Sequence, residues 1–200
     1  MNEVKLNVPL AEAAVRALGV GDRVLVTGEV VTARDRAHRW LVEEATPGGL
    51  PFVLSGGVIY HSGPLVRKRP DGSWEMLACG PTTSSRMNIY VPALLRKFGV
   101  RAFIGKGGMD TEALAAFRQC GAVYLSAVGG AAQVLAGSVE KVGLAFKVEE
   151  FGSPEAMWVL SVRDLPAVVT MDTKGHSLHE DLEKSSRRRL ETFLGQGRPI

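Results

Sequence analysis

The stretch Asn88–Val128, NIYVPALLRKFGVRAFIGKGGMDTEALAAFRQCGAVYLSAV, carries the clearest structural pattern in the chain. NIYVPALLRKFG and DTEALAAFRQCG have helical spacing of apolar residues, whereas VRAFIG and AVYLSAV are short apolar runs typical of buried strands. Strands that alternate with helices of this length indicate parallel crossover units. Such units place several strand ends and helix starts along one edge of the sheet. The pattern therefore predicts an α/β fold with its functional loops on that edge.

Further helices and strands are predicted on both sides of this stretch in the sequence. We predict helices in PLAEAAVRAL, which opens with Pro9, in RDRAHRWLVEEA, in GGAAQVLAG and in the charged segment HEDLEKSSRRRLETFL. We predict a strand in DRVLVTGEVVTA, two strands joined at RPDG in GGVIYHSGPLVRKRPDGSWEMLACGP, and a strand pair around Asp164 to Pro166 in AMWVLSVRDLPAVVTMD. A chain of 200 residues is short enough for one domain, residues 1–200.

The bulk composition argues against several classes of function. The net charge of +3 and the aromatic share of 6% favour neither nucleic-acid binding nor base stacking. The chain has no apolar run of the ~20 residues that a membrane helix needs, and MNEVKLNVPL lacks the order of a signal peptide. We therefore expect a cytoplasmic protein that contacts neither nucleic acid nor a membrane.

The two cysteines, Cys79 and Cys120, are too few for a disulfide framework. They are also too few to hold an iron-sulfur cluster or a structural zinc by themselves. We expect both to be ordinary small apolar residues and predict no metal site on this chain.

The segment GPTTSSRM, Gly80 to Met87, lies between an apolar run and a predicted helix. Free backbone N–H groups at a helix start, hydroxyl donors and the fork of Arg86 together suit a carboxylate. The alternative is that the Thr and Ser residues only cap the following helix while Arg86 lies in water. This segment on its own leaves both interpretations open.

The segment GKGGMD, Gly105 to Asp110, places Lys106 among glycines at the end of a predicted strand. Gly105 and Gly107 permit close approach of a ligand, and Asp110 or Thr111 caps the next helix. Neither the phosphate-loop spacing nor the dinucleotide fingerprint fits, so a small anion suits the loop better than ATP or NAD. A tight turn with a solvated Lys106 remains the alternative.

Other candidates favour structural roles. His176 and His179 lack a nearby third metal ligand, Arg187 to Arg189 predict a solvated helix face, and VGGAAQVLAG indicates close packing against the sheet. The turn YHSGP, with His61, stays open between a structural and a functional role.

Several motifs together resemble the beta subunit of the iron-sulfur hydro-lyases, the family of class I fumarases and L-tartrate dehydratases. They are ARDRAH, GPTTSSRMNIYVPALLRKFGVRAFIGKGGM, LSAVGGAA and FGSPEAMWVLSVRDLPAVVTMDTKGHSL, and they span nearly the whole chain. The resemblance implies a swivelling three-layer α/β domain with a central mixed sheet flanked by helices. It also implies an alpha subunit that holds a four-iron four-sulfur cluster and accounts for the shortage of cysteines here.

The resemblance also implies roles for individual residues. Arg34, Arg86 and Lys106 match positions that hold substrate carboxylates, and Thr82 matches a proposed base that a partner carboxylate must activate. Thr83, Gly105 and Gly107 complete the expected substrate-binding set. Asp35 and His38 lie in the matching stretch and are expected to orient Arg34 or the cluster environment, and His61 is expected to support the site from behind. A doubly charged C4 dicarboxylate needs at least two cations, and three are present.

The resemblance implies reversible hydration of fumarate to malate, with dehydration of tartrate to oxaloacetate as the alternative. Ser84, Ser85 and Asn88 differ from the Ala-Gly and Asp typical of fused fumarases and leave the substrate open. A non-catalytic anion-binding or regulatory module with the same fold is a rival of another class. The expected assembly is a hetero-tetramer with the alpha subunit, or a homo-dimer of the isolated chain.

Overall fold

The computed structural model describes residues 3–195 as a mixed α/β fold. Nine strands are β1 (Glu3–Asn7), β2 (Arg23–Thr32), β3 (Val58–Tyr60), β4 (Leu65–Lys68), β5 (Trp74–Ala78), β6 (Ala102–Gly105), β7 (Val123–Ser126), β8 (Val139–Phe146) and β9 (Met157–Met171). Seven α-helices in the same range are α1 (Glu12–Ala17), α2 (Asp35–Glu43), α3 (Val91–Phe98), α4 (Thr111–Cys120), α5 (Ala132–Ala136), α6 (Val148–Phe151) and α7 (Leu178–Gly195). Short 3-10 helices cover Pro47–Gly49 and Ser84–Met87.

Seven strands form the central mixed sheet in the order β1-β2-β3-β6-β7-β9-β8. The first five of that order are mutually parallel, and β9 runs antiparallel to β7 and β8. β9 also pairs with β2, so the sheet curls until β2, β3, β6, β7 and β9 form a closed ring. β4 and β5 form a separate antiparallel hairpin.

Helices and the hairpin cover the sheet on both sides, which gives the predicted layers. Along β3 and β6 successive side chains alternate between two buried clusters, because side chains of a strand point to opposite faces. One cluster lies inside the curled sheet with α1, α5 and the hairpin, and contains Val15, Tyr60, Ile104, Leu135 and Trp158. The other lies under α2, α3 and α4, and contains Leu41, Ile59, Leu94, Phe103 and Phe117.

The predicted crossover units are confirmed. The connection from β2 to β3 contains α2, the connection from β3 to β6 contains α3, and α4 connects β6 to β7. Because the four strands are neighbours and parallel, their carboxyl ends lie at the same edge of the sheet. That edge carries the residues singled out from the sequence.

Three predictions of local structure were wrong. The helix of PLAEAAVRAL begins at Glu12 and not at Pro9. The segment predicted as two strands contains three, since β3 joins the central sheet before the hairpin whose turn is RPDG. The predicted strand pair around Asp164 is the single strand β9: Asp164 has φ 49°, and its N–H donates to Thr27 Oγ1 over 3.0 Å beside a bulge at Gly28. A bulge bends a strand without ending it.

None of the helices in residues 3–195 combines the length and apolar character that a membrane crossing requires.

Candidate active site

Three predicted site residues directly follow three adjacent parallel strands. Arg34 lies two residues beyond β2, His61 follows β3, and Lys106 follows β6. Neighbouring strands in a sheet are about 4.8 Å apart. The topology therefore brings together residues that are far apart in sequence.

The segment Gly80–Met87 lies across these strand ends and is fixed by backbone hydrogen bonds. Thr82 N–H donates to His61 O over 2.7 Å, Lys106 N–H donates to Thr82 O over 3.1 Å, and Ser84 N–H donates to Lys106 O over 3.0 Å. The segment thus continues the sheet as a short parallel bridge at Thr83 and Lys106. Thr82 is held between the ends of β3 and β6.

Arg86 connects Thr82 with Asp35. One guanidinium nitrogen of Arg86 donates to Thr82 Oγ1 over 2.9 Å and lies 3.1 Å from an Asp35 carboxylate oxygen. The Arg86 side chain is 44% exposed and the Asp35 side chain 38% exposed, so a ligand can reach both. The capping alternative for this segment is wrong, because neither the 3-10 helix Ser84–Met87 nor α3 has a side-chain cap.

Arg34 is the residue before the first turn of α2, and its side chain is held in place by packing and charge. It lies 3.2 Å from the Glu155 carboxylate, which also accepts the Arg36 N–H at 3.1 Å. A Cβ at Gly63 would lie 2.7 Å from the Pro154 carbonyl oxygen and 2.8 Å from Arg34 Nη1, so only a glycine lets the chain pass this close to both. The Arg34 carbonyl accepts both the backbone N–H and the Nδ1 of His38, each at 2.9 Å.

Glycines shape the loop that carries Lys106. A Cβ at position 105 would overlap Ser84 Oγ, so only glycine permits the close approach of the two segments. Gly107 has φ +81°, a conformation that L side chains rarely adopt, and turns the chain towards α4. Asp110, not Thr111, caps α4 by accepting the Ala113 N–H over 2.9 Å. The Lys106 side chain is exposed, and its stem lies next to Gly129.

A buried polar layer supports the exposed cations from below. Tyr124 donates to Ser84 Oγ over 2.8 Å, and Ser84 Oγ lies 2.7 Å from His61 Nδ1. Burial raises the pKa of Tyr124 to about 12, so its hydroxyl stays protonated and acts as the donor. These hydrogen bonds hold His61 beneath the segment Gly80–Met87.

The two buried histidines stay uncharged at neutral pH. Burial lowers the pKa of His61 well below its usual range, and His38 and Arg86 lower it further. Burial also lowers the pKa of His38 to about 4, against the opposing effects of the Arg34 carbonyl and the Asp35 carboxylate. Their ring centroids are 4.9 Å apart. Neutral imidazoles fill the space under Thr82 and Arg34 without adding charge there.

The minor candidates have structural partners, and His179 packs against Gly108 of the Lys106 loop and against Tyr124. His176 Nδ1 lies 3.0 Å from Asp172, and His179 Nε2 lies 3.0 Å from Thr170 Oγ1. Within residues 3–195 no group of three or more His, Cys, Asp or Glu side chains is placed to hold a metal. Arg187 pairs with Glu183 at 3.1 Å on an exposed helix face, as predicted.

The surroundings of the two cysteines do not suit the binding of an iron-sulfur cluster. Cys79 belongs to the hydrophobic core cluster inside the curled sheet, and its Sγ lies 3.6 Å from Ser62 Oγ. Burial raises the pKa of the Cys79 thiol to about 11. Cys120 packs against the cluster on the other side of the sheet. A thiol kept protonated by burial is a poor metal ligand, because the thiolate is the ligand form.

The arrangement on this edge provides three cations, a hydroxyl fixed beside one of them, and backbone held by glycines. Sequence comparison agrees with this geometry: residues 1–182 match the model of the family described as Fumarase C-terminus. The chain belongs to this family.

Members of the family that resemble the chain include subunits and longer proteins. It is 40% identical over 188 residues to the putative L(+)-tartrate dehydratase subunit beta of Methanocaldococcus jannaschii, covering 93% of this chain and 96% of that protein. It is 36% identical over 190 residues to the L(+)-tartrate dehydratase subunit beta of Escherichia coli, covering 94% of this chain and 92% of that protein. It is 47% identical over 190 residues to a putative fumarate hydratase class I of Geobacillus stearothermophilus, covering 95% of this chain but only 36% of that protein.

Sequence reasoning missed three residues of the candidate site, namely Ser84, Tyr124 and Glu155. Ser84 was visible in the hydroxyl-rich segment, but its link to Tyr124 depends on a residue 40 positions away. Glu155 follows a Gly-Ser-Pro turn, and nothing in the surrounding sequence predicts its ion pair with Arg34. Both contacts arise from the folding of the sheet.

Proposed function

We propose that this chain is the beta subunit of a hydro-lyase that reversibly hydrates fumarate to malate together with an alpha subunit. The observation that carries the proposal is the placement of Arg34, Arg86 and Lys106 with Thr82 on one strand-end edge. A doubly ionised C4 dicarboxylate needs cations for both carboxylates, and charge-assisted hydrogen bonds to such groups are the strong ones.

The three cationic side chains differ in how accessible they are to a substrate carboxylate. Arg86 is paired with Asp35 in an exposed ion pair, and such pairs contribute only about 0–1 kcal/mol. A substrate carboxylate can therefore take the place of Asp35 at little cost. Arg34 is less exposed, at 24%, and is held by Glu155 in one orientation. Arg34 suits a fixed anchor, and Lys106 suits a flexible point charge.

Thr82 is the residue for proton transfer at the substrate carbon. Its hydroxyl accepts a hydrogen bond from Arg86, and a guanidinium beside an oxygen stabilises the negative charge that develops when the proton leaves. Arg86 cannot itself accept that proton, because guanidinium is not deprotonated in proteins. We infer that a carboxylate of the partner subunit accepts that proton.

We assign the iron-sulfur cluster to the alpha subunit. The two cysteines of this chain lie on opposite sides of its sheet and therefore cannot bind one cluster together. When bound there, a four-iron four-sulfur cluster with an open iron supplies Lewis-acid chemistry at the substrate hydroxyl. Relatives named subunit beta support the existence of such a partner.

Dehydration of tartrate to oxaloacetate is the second candidate, and the two similar tartrate dehydratase beta subunits favour it. Tartrate differs from malate by one hydroxyl, which a single polar neighbour can recognise. A non-catalytic anion-binding module of the same fold is the rival of another class.

The test is to purify the chain alone and together with its alpha subunit under anaerobic conditions. The pair should convert malate and fumarate, and the isolated chain should be inactive with both. Activity of the isolated chain contradicts the division of labour. A faster rate on either tartrate than on malate assigns the second candidate, and an inactive pair that still binds dicarboxylates supports the binding module.

A further inference from the structure

One buried hydroxyl joins three of the segments that form the candidate site. Ser84 Oγ accepts a hydrogen bond from the Tyr124 hydroxyl over 2.8 Å and lies 2.7 Å from His61 Nδ1. All three side chains are fully buried. Ser84 belongs to the segment Gly80–Met87, His61 directly follows β3, and Tyr124 lies in β7. Side chains therefore tie the segment Gly80–Met87 to two strands of the central sheet.

Ser84 stands in the middle of that segment, two residues after Thr82 and two residues before Arg86. Its N–H donates to Lys106 O over 3.0 Å, so its main chain and its side chain are both held. The Arg86 side chain, in contrast, is 44% exposed. Interior side chains occupy fixed positions in a close-packed core, whereas exposed ones lose their orientation readily. The orientation of Thr82 and Arg86 therefore depends on the buried residue between them.

Tyr124 also lies next to the loop that carries Lys106. A Cβ at Gly105 would lie 3.0 Å from Tyr124 Oη. Burial raises the pKa of Tyr124, and the Ser84 hydroxyl and the Gly108 N–H partly oppose that rise, so the phenol is close to both groups. Gly105 directly precedes Lys106, and Gly108 follows it by two residues. One phenol hydroxyl thus lies between the segment with Thr82 and the loop with Lys106.

His61 completes this junction beneath Thr82. Its backbone oxygen accepts the Thr82 N–H over 2.7 Å, and its Nδ1 meets Ser84 Oγ. Within residues 3–195 the other ring nitrogen, Nε2, is buried and has no hydrogen-bond partner. Ser84 therefore supplies the polar contact that sets the rotation of this imidazole. The chain of hydrogen-bonded side chains that begins at Tyr124 ends directly under Thr82.

We propose that Tyr124 is a positioning residue of the candidate active site. Through Ser84 it fixes the segment Gly80–Met87 relative to the loop that carries Lys106. The inference rests on the proposed function for the chemistry of these two segments. A misplacement of about 1 Å at a reacting group costs about 10² in rate. Loss of the Tyr124 hydroxyl should therefore reduce turnover, although this buried side chain cannot contact the substrate.

The first test is steady-state kinetics of the two-subunit enzyme with malate. Tyr124→Phe removes the hydroxyl and keeps the ring, so kcat should fall about 10- to 100-fold while KM stays within about twofold, because all three cations remain. Val15→Ala shortens a fully buried side chain of α1 and is the stability control: its Tm should fall and its kcat should not change. A normal kcat for Tyr124→Phe, or an equal fall in Val15→Ala, overturns the proposal.

The second test is a double-mutant cycle with Ser84→Ala. Each single variant removes the same hydrogen bond between Tyr124 and Ser84. The double variant should therefore lower kcat about as much as the more severe single variant, because residues that act through one contact are not additive. Losses that multiply would show that Tyr124 acts by another route, which overturns the proposal.

Hydrogen exchange of the isolated chain gives a readout that needs no activity. The N–H groups of Thr82, Ser84 and Lys106 make the hydrogen bonds that join the segment Gly80–Met87 to the strand ends. Tyr124→Phe should speed exchange at these three groups about 10-fold or more relative to the rest of the chain, whereas Val15→Ala should not, because only the first change opens this region locally.

Uniform acceleration along the chain in Tyr124→Phe indicates a contribution to stability alone and overturns the proposal. If the wild-type pair of subunits converts neither malate nor tartrate, the proposed function fails. The exchange result then decides by itself whether Tyr124 positions the segment.

Discussion

Arg86 donates a hydrogen bond to the hydroxyl of Thr82 over 2.9 Å, so a permanent cation lies beside the oxygen proposed to take up a proton. The same guanidinium pairs with Asp35 at 3.1 Å. This contact joins the segment Gly80–Met87 to the start of α2. It also orients the hydroxyl, because a hydrogen-bonded oxygen cannot rotate its lone pairs freely.

Removing the Thr82 hydroxyl should abolish most turnover. We expect Thr82→Val to lower kcat of the two-subunit enzyme on malate by about 10²–10⁴, the usual contribution of a positioned acid or base. KM should change little, because the cations remain. Thr82→Ser is the matched control and should retain much of the activity. Steady-state kinetics decide, and a Thr82→Val enzyme with near-normal kcat would remove this residue from the chemistry.

Replacing Lys106 should affect binding and not folding. Lys106→Ala removes an exposed ammonium group, and the loss of a charged hydrogen bond is worth about 1.5–3 kcal/mol. We expect kcat/KM to fall by about 10- to 150-fold with an unchanged Tm. Lys141→Ala, on the exposed outer strand β8, should leave both unchanged. A large fall in Tm with normal kinetics indicates that Lys106 is structural.

Neutralising Glu155 should loosen Arg34. Glu155→Gln removes the negative charge 3.2 Å from the guanidinium but preserves the size of the side chain. We expect KM to rise by about 3- to 10-fold, consistent with a partner worth about 1 kcal/mol for orientation. Glu149→Gln, an exposed residue of α6, serves as the control. An unchanged KM for Glu155→Gln would show that Arg34 is positioned by packing alone.

The glycine at position 105 should resist substitution. A Cβ there overlaps Ser84 Oγ and also approaches Tyr124 Oη to 3.0 Å, so Gly105→Ala should lower the free energy of unfolding by about 1–3 kcal/mol. Adding Ser84→Ala removes the worst clash, and the double variant should lose less than the sum of the two single changes. Urea denaturation measures both. Strict additivity would mean that the two residues are not in contact.

Acid should destabilise the fold through its buried histidines. The pKa of His38 is lowered from 6.5 to about 4 by burial, so the unfolded chain binds a proton at pH 5 that the folded chain does not. Stability is therefore full above pH 6.5 and falls as the pH is lowered towards 4, by up to about 1.4 kcal/mol per pH unit for each such histidine. Unfolding followed over this range should show the slope, and His38→Leu should reduce it. A flat curve from pH 7 to pH 5 contradicts the buried neutral state.

The sequence by itself determined the crossover units and the position of the main candidates at strand ends. Apolar periodicity is a local property, and it identified α3, β6, α4 and β7 because each of them buries a regular face. The same reasoning placed Lys106 after a strand. The predicted strand pair around Asp164 was wrong, because a bulge at Gly28 accommodates Asp164 within the single strand β9.

Only the tertiary structure decided which of these residues meet. Pairing of β2, β3 and β6 brings Arg34, His61 and Lys106 to one edge, and hydrogen bonds from the backbone of Thr82 join the last two. The pairing of β9 with β2, which curls the sheet, spans well over a hundred residues of sequence. Such contacts depend on strand register and burial across the whole chain, which no short segment encodes.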